Sequence, residues 1–248
     1  MKNLISTDSR AREELRNQRF AWIPANEIAV SSELSADKDA LMTEWDHLEP
    51  DAYLLDDASF RFRRFGYFDL HPTSGKVRRL PDGSYYQSRE LNPYAGGIER
   101  HFAPLRDSAA DNRFLEELIR FDFAQLPIED ERARGIWRVD VHFFRVIGRP
   151  DEAGEPSPEG IHRDGEEFGA IHLIQRRNVA GGVNTVYDTD EQLLASFTLY
   201  EPLDSLILWD PHTLHAVSSI RPEVADEPAL RDTLIMGFDH APGSSDES

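Results

Sequence analysis

A histidine and an aspartate one residue apart, His162 and Asp164, stand where a polar loop gives way to an apolar segment, in EGIHRDGEEFGAIHLIQ (159–175). Residues i and i+2 of a β-strand project from the same face of the sheet. Two side chains that can bind a metal ion are therefore expected on one side of the chain. The pair could equally mark the solvent-facing edge of a strand, so the hypothesis of a metal site needs a third ligand.

A third candidate ligand, His215, lies in LILWDPHTLHAVSSI (206–220), where an apolar strand turns at Asp210 and Pro211 into a second strand. Two imidazoles and one carboxylate can occupy one face of an octahedron and leave three positions open. This is the ligand set of non-haem Fe(II) oxygenases, whereas a structural zinc site usually closes its coordination sphere. His212 is an alternative third ligand, but the apolar residues that follow His215 favour the latter.

Arg231 begins the next strand-like segment, ALRDTLIMGF (229–238). A guanidinium is permanently charged and binds a carboxylate through two parallel hydrogen bonds. An arginine that faces into a metal-containing barrel would suit the distal carboxylate of 2-oxoglutarate, whose 2-oxo acid end would chelate the iron. The alternative for Arg231 is a surface ion pair with Asp232 or another neighbouring acid. Beside a triad of metal ligands, we favour the carboxylate-binding role.

The candidate ligands are predicted to lie on a β-rich C-terminal part. From about residue 134 the chain reads as seven short segments that are rich in β-branched and aromatic residues and are separated by turn residues. Their close spacing predicts a sandwich or jelly-roll barrel rather than parallel βαβ units. His172, inside one of these segments, is expected to be a hydrogen-bonded core residue. Apolar residues at helical spacing predict three helices, at 8–20, 38–47 and 111–127. Asp111 is the predicted cap of the last one.

These elements predict one domain of the mainly β class with flanking helices (α+β). The domain is expected to span 1–240, with a helical N-terminal part at about 1–130 and a β core at about 134–240. Residues 241–248 are expected to form a disordered tail. The segment RFRRFGYF (61–68) alternates arginines with aromatic residues and is expected to extend the sheet, the alternative being a surface that stacks nucleic-acid bases.

The composition indicates a soluble protein without nucleic-acid or membrane partners. The net charge of -19 disfavours nucleic acid, because neutralising phosphates needs clustered Lys and Arg. No apolar run approaches the ~20 residues that span a bilayer, and the N-terminus lacks the apolar core of a secretory signal. The absence of cysteine excludes disulfides, thiolate ligands and a cysteine nucleophile. We expect a cytoplasmic protein, and an exposed N-terminal helix could pair in a homodimer.

Several motifs, taken in their order along the chain, resemble those of a known enzyme family. They are HRDGE, GGVNTVYD, LHAVSSI and LRDTLIMGF between His162 and Phe238, with YYQSRELNPYAGGIERHF (85–102) and DVHFFRV (140–146) upstream. Over roughly residues 60–240 the chain resembles the Fe(II)- and 2-oxoglutarate-dependent dioxygenases with a double-stranded β-helix (jelly-roll, cupin-like) core. More narrowly, it resembles the bacterial subgroup that hydroxylates free amino acids, the L-isoleucine 4-hydroxylase-like enzymes.

The resemblance implies that His162, Asp164 and His215 are the iron ligands and catalytic residues, and that Arg231 binds the distal carboxylate of 2-oxoglutarate. The implied cofactors are Fe(II), 2-oxoglutarate as co-substrate, and O2. The implied reaction hydroxylates an unactivated C–H bond of a free L-amino acid and releases succinate and CO2. Two alternatives stay open: a metal-dependent cupin-like enzyme that does not use 2-oxoglutarate, and a non-catalytic small-molecule-binding sensor on the same barrel.

Candidate contacts to the substrate lie on the segment IWRVDVHFFRV, where Arg138, Asp140 and His142 alternate with apolar residues. Asp140 could meet a substrate ammonium, and Arg138 or His142 a carboxylate. The alternative is a strand with one solvated face. Tyr94 lies in the segment 85–102 beside a glycine pair and Arg100. Since glycines permit loop closure, this segment could be a lid over the iron, or it could be an ordinary exposed loop.

Overall fold

The computed structural model describes residues 3–55 and 58–241. Apart from Ala241, the tail predicted at 241–248 lies outside the described residues. The helices are α1 (Ala11–Gln18), α2 (Ser35–Met42), α3 (Asp107–Ala110) and α4 (Arg113–Gln125), with single turns of 3-10 helix at Ala25–Glu27, Ser32–Leu34, Thr43–His47, Arg132–Arg134 and Asp210–His212. The strands are β1 (Ile5–Thr7), β2 (Phe20–Ile23), β3 (Ile28–Val30), β4 (Glu49–Pro50), β5 (Arg61–His71), β6 (Lys76–Arg79), β7 (Tyr85–Tyr86), β8 (Glu99–Arg100), β9 (Trp137–Gly148), β10 (Phe168–Arg177), β11 (Val179–Gly181), β12 (Asn184–Tyr187), β13 (Leu193–Phe197), β14 (Ser205–Leu208), β15 (Leu214–Val217), β16 (Ile220–Pro222) and β17 (Ala229–His240).

The largest sheet has the strand order β2-β14-β10-β17-β9-β5-β4, with β6 paired to β5, and its neighbouring strands are antiparallel. Its long central strands are segments rich in aromatic and β-branched residues. The RFRRFGYF segment, expected to extend the sheet, begins β5. Side chains of a strand alternate between the two faces of the sheet. On β9 the odd-numbered residues from Trp137 to Phe143 are fully buried in the main apolar core, so the even-numbered residues point to the opposite, inner face.

A smaller antiparallel sheet, β13-β12-β15, packs on the inner face of the large sheet. One apolar cluster joins Ile171, Leu206 and Leu208 of the large sheet to Val186 and Phe197 of the small one. Two opposed antiparallel sheets with strands in this order form the jelly-roll, or double-stranded β-helix, that the sequence predicts. The functional side chains described below lie between the two sheets.

Helix α4 covers the outer face of the large sheet with the predicted apolar stripe, all of which is buried. The predicted cap at Asp111 is wrong. Asn112 is the cap, because its Oδ1 accepts hydrogen bonds from the N–H groups of Phe114 at 2.9 Å and Leu115 at 3.2 Å. Asp111 instead ends α3. Asparagine and aspartate are comparable caps, so the position of the turn between the two helices decides which residue is used.

A buried hydrogen-bonded chain ties α4 to the large sheet. Nε2 of His172 lies 2.8 Å from a carboxylate oxygen of Asp122, and its Nδ1 lies 2.7 Å from the hydroxyl of Ser205. His172 and Asp122 are both 0% exposed. The expectation of a hydrogen-bonded core histidine is therefore confirmed, and the chain is closed to any ligand from outside.

The N-terminal part, expected to be helical, is mixed. Helix α1 falls within the predicted 8–20, and the predicted 38–47 comprises the end of α2 followed by the 3-10 turn at Thr43–His47. The same part also supplies strands to the large sheet, because β2 pairs with β14 and β5 pairs with β9. Within the described ranges, no helix combines the length and apolarity needed to cross a bilayer.

Candidate active site

The structure brings the three predicted metal ligands together. An isolated antiparallel bridge joins His162 to His215, with backbone hydrogen bonds of 3.0 and 2.7 Å. Asp164 follows His162 by two residues, and its two carboxylate oxygens lie 3.5 Å from Nε2 of His162 and 3.5 Å from Nε2 of His215. One potential ligand atom from each residue lies within 4.8 Å of the other two. The three side chains therefore converge on one point.

The donor atoms of this group suit a divalent metal ion. Nδ1 of His162 lies 2.9 Å from the carbonyl oxygen of Gly160. Since a carbonyl only accepts, Nδ1 carries a proton, which leaves Nε2 as the nitrogen that would bind a metal ion. Histidines that bind metals usually donate their other ring N–H in this way. Two imidazole nitrogens and one carboxylate oxygen are the ligand set that suits Fe(II).

The electrostatics of the three side chains also favour a cation between them. Burial opposes ionisation of Asp164, but the charges of His215 and His162 hold its pKa below the ordinary range. Burial opposes the charged form of His162 as well, yet its hydrogen bond to Asp164 and the nearby Glu159 raise its pKa to about 9. Burial and repulsion from His162 lower the pKa of His215 to about 4. The group thus retains one proton, whose positive charge a metal ion would replace.

Asp210 and Gln87 hold the loop that carries Asp164. The two carboxylate oxygens of Asp210 accept hydrogen bonds from the N–H groups of Asp164 at 2.9 Å and Gly165 at 2.8 Å. Gln87 donates from Nε2 to the carbonyl of Asp164 at 2.7 Å. Gly165 has φ of +98°, a conformation that disfavours side chains. Sequence reasoning missed both holding residues, and the turn at Asp210 was its only signal for either.

Arg231 and the three ligands line one cavity that is partly open to solvent. Arg231 is 3% exposed. Its contact with Asn184 is long, at 3.5 Å, and its Nε has no hydrogen-bond partner among the described residues. Burial, followed by repulsion from Arg176, lowers its pKa to about 10. Asp232, the ion-pair partner that the sequence left open, lies on the other face of β17 and binds Arg145 through two hydrogen bonds of 2.8 Å.

A second group of cations, here called the arginine cluster, consists of Arg61, Arg63 and Arg100. All three line the cavity and are buried. Asp51 is 2.8 Å from Nε of Arg61 and 3.6 Å from a terminal nitrogen of Arg63. Arg100 donates to the amide oxygen of Gln87 at 2.6 Å. Within residues 3–55 and 58–241, no other carboxylate forms an ion pair with the cluster. The three cations therefore have one anionic partner between them.

Two carboxyl groups, here called the acidic pair, lie elsewhere in the same cavity. They belong to Asp140 on β9 and to Glu166, which follows the metal-ligand loop. A Cβ on Gly237 would lie 2.8 Å from the oxygens of Asp140 and 2.6 Å from Cγ of Glu166, so the glycine leaves room for both. The hydroxyl of Tyr85 donates to Glu166 at 3.0 Å. Burial, followed by the charge of Asp140, raises the pKa of Glu166 well above its ordinary value.

His142 connects the arginine cluster to the acidic pair. Its Nδ1 lies 2.5 Å from a terminal nitrogen of Arg63, and its Nε2 lies 3.3 Å from a carboxylate oxygen of Asp140. Because a guanidinium only donates, Nδ1 of His142 must accept the hydrogen bond from Arg63. Nε2 therefore carries the ring proton and donates a hydrogen bond to Asp140. Burial and the charge of Arg63 lower the pKa of His142 and favour this neutral form.

The remaining predicted residues do not line this cavity. Arg138 lies on the inner side of β9, where its Nε donates to Asp69 at 3.0 Å, and it lines an adjoining pocket that shares Asp140, Asp164 and Glu166 with the cavity. The hydroxyl of Tyr94 accepts a hydrogen bond from the N–H of Leu55 at 2.8 Å, and Tyr94 does not line the cavity. His212, the alternative ligand, is exposed and lies outside the converging group.

The segment 85–102 contributes Tyr85, Gln87, Asn92 and Arg100 to the lining of the cavity. These four residues are buried, whereas others of the segment, such as Tyr86, are exposed. Asn92 donates to the amide oxygen of Gln87 at 3.0 Å, and its own amide oxygen accepts a hydrogen bond from a backbone N–H at 2.7 Å. A Cβ on Gly96 would lie 2.3 Å from a backbone carbonyl oxygen, so the glycine permits this close packing.

A buried His–Asp–His group inside a double-stranded β-helix is the arrangement typical of non-haem Fe(II) oxygenases. Comparison with known proteins agrees with that class. The profile of the 2OG-Fe dioxygenase family matches residues 42–237, so this chain belongs to that family. The family uses Fe(II), 2-oxoglutarate and O2. Membership does not favour the two alternatives, an enzyme independent of 2-oxoglutarate and a sensor.

Several individual proteins are similar over almost the whole chain. L-isoleucine-4-hydroxylase from Bacillus thuringiensis is 27% identical over 234 residues, which cover 92% of this chain and 93% of that protein. A 3(1)-hydroxy-L-isoleucine 4-dioxygenase from Pantoea ananatis is 25% identical, with coverage of 90% and 93%. The crystal structure of a bsmA homolog from Methylobium petroleophilum has a TM-score of 0.79 at 27% identity, with coverage of 97% and 96%. The structure of IDO from Bacillus thuringiensis, at 21% identity, has a TM-score of 0.76, with coverage of 93% and 98%, and shares the fold.

Proposed function

We propose that this protein hydroxylates an unactivated C–H bond of a free L-amino acid and releases succinate and CO2. The observation that carries the proposal is a single cavity in which His162, Asp164 and His215 lie with the buried cation Arg231, whose Nε has no hydrogen-bond partner among the described residues. Two relatives support a free amino acid as substrate, since their names specify L-isoleucine and 3(1)-hydroxy-L-isoleucine. The substrate is therefore proposed to be a small molecule.

The residues divide the work between holding the metal and holding the co-substrate. His162, Asp164 and His215 would hold Fe(II) through two imidazole nitrogens and one carboxylate oxygen, a set that leaves coordination positions open. Arg231 would bind the distal carboxylate of 2-oxoglutarate, because a buried guanidinium without an anion gains most from a carboxylate. When bound, the iron and 2-oxoglutarate supply the oxidative decarboxylation that activates O2 for insertion into the C–H bond.

The surrounding chain keeps this group ordered and dry. Gln87 and Asp210 hold the backbone on either side of the Asp164 carboxylate, and so fix the direction in which it points. The segment 85–102 contributes four buried side chains to the cavity wall, where they would limit the access of water. Exclusion of water strengthens the charged contacts inside and protects the reaction from side paths.

The test uses protein loaded with Fe(II) under anaerobic conditions and then given O2, ascorbate, 2-oxoglutarate and a mixture of the free protein amino acids. Mass spectrometry follows succinate and any amino acid that gains one oxygen atom. We expect both products from the wild type. Asp164→Ala should abolish both, because it removes the only anionic ligand of the triad. Asp190→Ala, the same change at an exposed turn, should leave both unchanged.

Succinate without an oxidised amino acid would refute the free amino acid as substrate and keep the use of 2-oxoglutarate. Equal activity of wild type and Asp164→Ala would refute the assignment of the metal site. Two further expectations from the sequence, a cytoplasmic location and a homodimer, stay predictions. The absence of cysteine supports the first.

A further inference from the structure

We propose that the cavity holds its amino acid as a zwitterion, with Arg63 and Arg100 binding the carboxylate and Asp140, beside Glu166, binding the ammonium. The inference deepens the proposed function and rests on it. It assigns the two charged ends of the substrate to two groups of residues that face each other across one imidazole ring. It also replaces Arg138 and Tyr94 as candidate substrate contacts.

The carboxylate end is argued from the charge of the arginine cluster. Asp51 neutralises one cation, and its closest partner is Arg61, at 2.8 Å. Arg63 and Arg100 are 3% and 2% exposed, and Nε of each has no hydrogen-bond partner among the described residues. A buried cation without an anion is costly to the fold. The two guanidinium groups therefore form a site that a carboxylate would complete.

Neighbouring side chains orient both guanidinium groups. Cζ of Arg63 lies 3.4 Å from the centre of the Phe102 ring, and Cζ of Arg100 lies 5.6 Å from the same centre. An aromatic face orients a guanidinium without neutralising it, since the interaction supplies no counter-charge. The amide oxygen of Gln87 fixes Arg100 at 2.6 Å in the same manner. Arg100 is thus positioned without an ion-pair partner among the described residues, and Arg63 shares Asp51 with Arg61.

The ammonium end is argued from the acidic pair. Asp140 accepts hydrogen bonds from the N–H of Gly237 at 3.0 Å and, at 3.3 Å, from His142, and neither donor carries a positive charge. Oε2 of Glu166 is buried without a hydrogen-bond partner among the described residues. An ammonium group would give Asp140 the charged partner it lacks and give Glu166 a donor.

The separation of the two ends suits an α-amino acid. Arg63 and Asp140 contact opposite nitrogens of the His142 ring, so about 8 Å, one ring width and two hydrogen bonds, separates guanidinium from carboxylate. In an α-amino acid, carboxylate and ammonium are attached to the same carbon. With a hydrogen bond of about 2.9 Å at each end, such a molecule spans a similar distance. His142 is thus a positioning residue that sets the spacing between the two receptors.

The strand register separates the ammonium end of this zwitterion site from the proposed 2-oxoglutarate site, while Arg63, in register with Phe144, lies two residues from Val146 along β9. On the inner face of the sheet, Arg231 pairs in register with Val146, whereas Gly237, beside the acidic pair, pairs with Asp140 six residues away along β9. Six residues of a strand cover about 20 Å. Arg231 can therefore take the distal carboxylate of 2-oxoglutarate while the substrate's ammonium lies toward the other end of the strand.

The test compares three pools of compounds: the free protein L-amino acids, their α-amides, and their Nα-acetyl derivatives. The amide removes the carboxylate charge, and the acetyl group removes the ammonium charge. Succinate formation by the iron-loaded protein is measured for each pool. For the wild type we expect the amide and acetyl pools to be at least about 30-fold poorer than the free pool, the usual effect of leaving a buried charge unpaired.

Variants then connect each charge to its receptor. Arg100→Gln should raise KM for the free amino acid by at least about 30-fold and lose the discrimination against amides. Asp140→Asn should lose the discrimination against acetylated compounds. Arg113→Gln, the same change as Arg100→Gln at a half-exposed position on α4, should behave as the wild type.

Calorimetry provides a readout that does not depend on turnover. It measures how the amino acid identified as the substrate binds, before oxidation, to nickel-loaded protein with 2-oxoglutarate. Affinity should fall in Arg100→Gln and Asp140→Asn, while the affinity for 2-oxoglutarate, which also reports correct folding, should change less than about 3-fold. Wild-type KM and wild-type discrimination in both variants would overturn the inference and leave the proposed function intact. Absence of succinate from the free pool in the wild type would overturn the proposed function itself.

Discussion

Arg231→Met should make the ligand-free protein more stable while it destroys the binding of 2-oxoglutarate. Arg231 is buried, and among the charges that act on it the repulsion from Arg176 exceeds the attraction to Asp232. The protein therefore carries an uncompensated charge whenever 2-oxoglutarate is absent. Methionine fills a similar part of the space and carries no charge. One variant should therefore show both the loss of 2-oxoglutarate binding and the gain of stability. This combination is expected for a binding site whose charge destabilises the protein when no ligand is bound.

The magnitude follows from the pKa of Arg231, which burial lowers from its ordinary value to about 10. One pKa unit corresponds to 1.36 kcal/mol, so the charge costs about 3 kcal/mol. Both pKa values lie above neutral pH, so Arg231 is charged in the folded and unfolded states alike, and the full cost is present at pH 7. Allowing about 1 kcal/mol for lost packing, the free energy of unfolding should rise by about 2 kcal/mol. In a domain of this size that corresponds to about 4–8 °C in Tm.

Thermal unfolding of nickel-loaded protein, with and without 2-oxoglutarate, measures both effects. In the wild type, 2-oxoglutarate at a concentration of 100 times its Kd should raise the free energy of unfolding by about 3 kcal/mol. Arg231→Met should start from a higher Tm and gain less than about 1 kcal/mol at that concentration, since losing the buried partner costs about 2–5 kcal/mol of binding. Arg113→Met, on the outer helix, should keep the wild-type response. A lower Tm in ligand-free Arg231→Met, or a retained response to 2-oxoglutarate, would refute this reasoning.

Three further predictions concern the residues around the site and the buried chain beneath α4. Asp210→Ala should weaken metal binding by about 10–100-fold, because the loop that carries Asp164 loses two hydrogen bonds; titration with Mn(II) measures this. Gly237→Ala should lose about 1–3 kcal/mol of stability in urea unfolding, because the added methyl group overlaps the acidic pair, whereas Gly169→Ala meets no atom within 4 Å and should be neutral. Asp122→Asn should change the pH dependence of stability: burial raises the pKa of Asp122 above its ordinary 3.8, so the stability of the wild type relative to this variant should fall as the pH rises above that value.

Each of these predictions has an outcome that contradicts it. Equal Mn(II) affinity in wild type and Asp210→Ala would show that the carboxylate does not hold the loop. Equal losses of stability in Gly237→Ala and Gly169→Ala would remove the argument from overlap. For Asp122, a difference in unfolding free energy that stays constant or rises between about pH 4 and about pH 7 would contradict the assigned direction of the pKa, since a raised pKa binds the proton more tightly in the folded state.

The metal ligands could be predicted because their information is local. His162 and Asp164 are two residues apart, and their side-chain types already limit the chemistry. The strands were predictable for the same reason, since alternation of apolar residues in β9 reports directly which face is buried. The helix cap shows where local information ends: Asp111 and Asn112 are both suitable caps, and the sequence pattern alone did not distinguish them.

The sequence by itself determined the strand-rich core, the triad of candidate ligands and the charge of the groups near them, because spacing along one chain and side-chain chemistry are enough to define these. Only the tertiary structure decided which charges meet. Pairing of β5 with β9 sets Arg63 against His142, and the segment 85–102 adds Arg100 from a third element. Contacts of this kind depend on strand register and loop packing between residues that are distant in sequence, and no local pattern encodes that register.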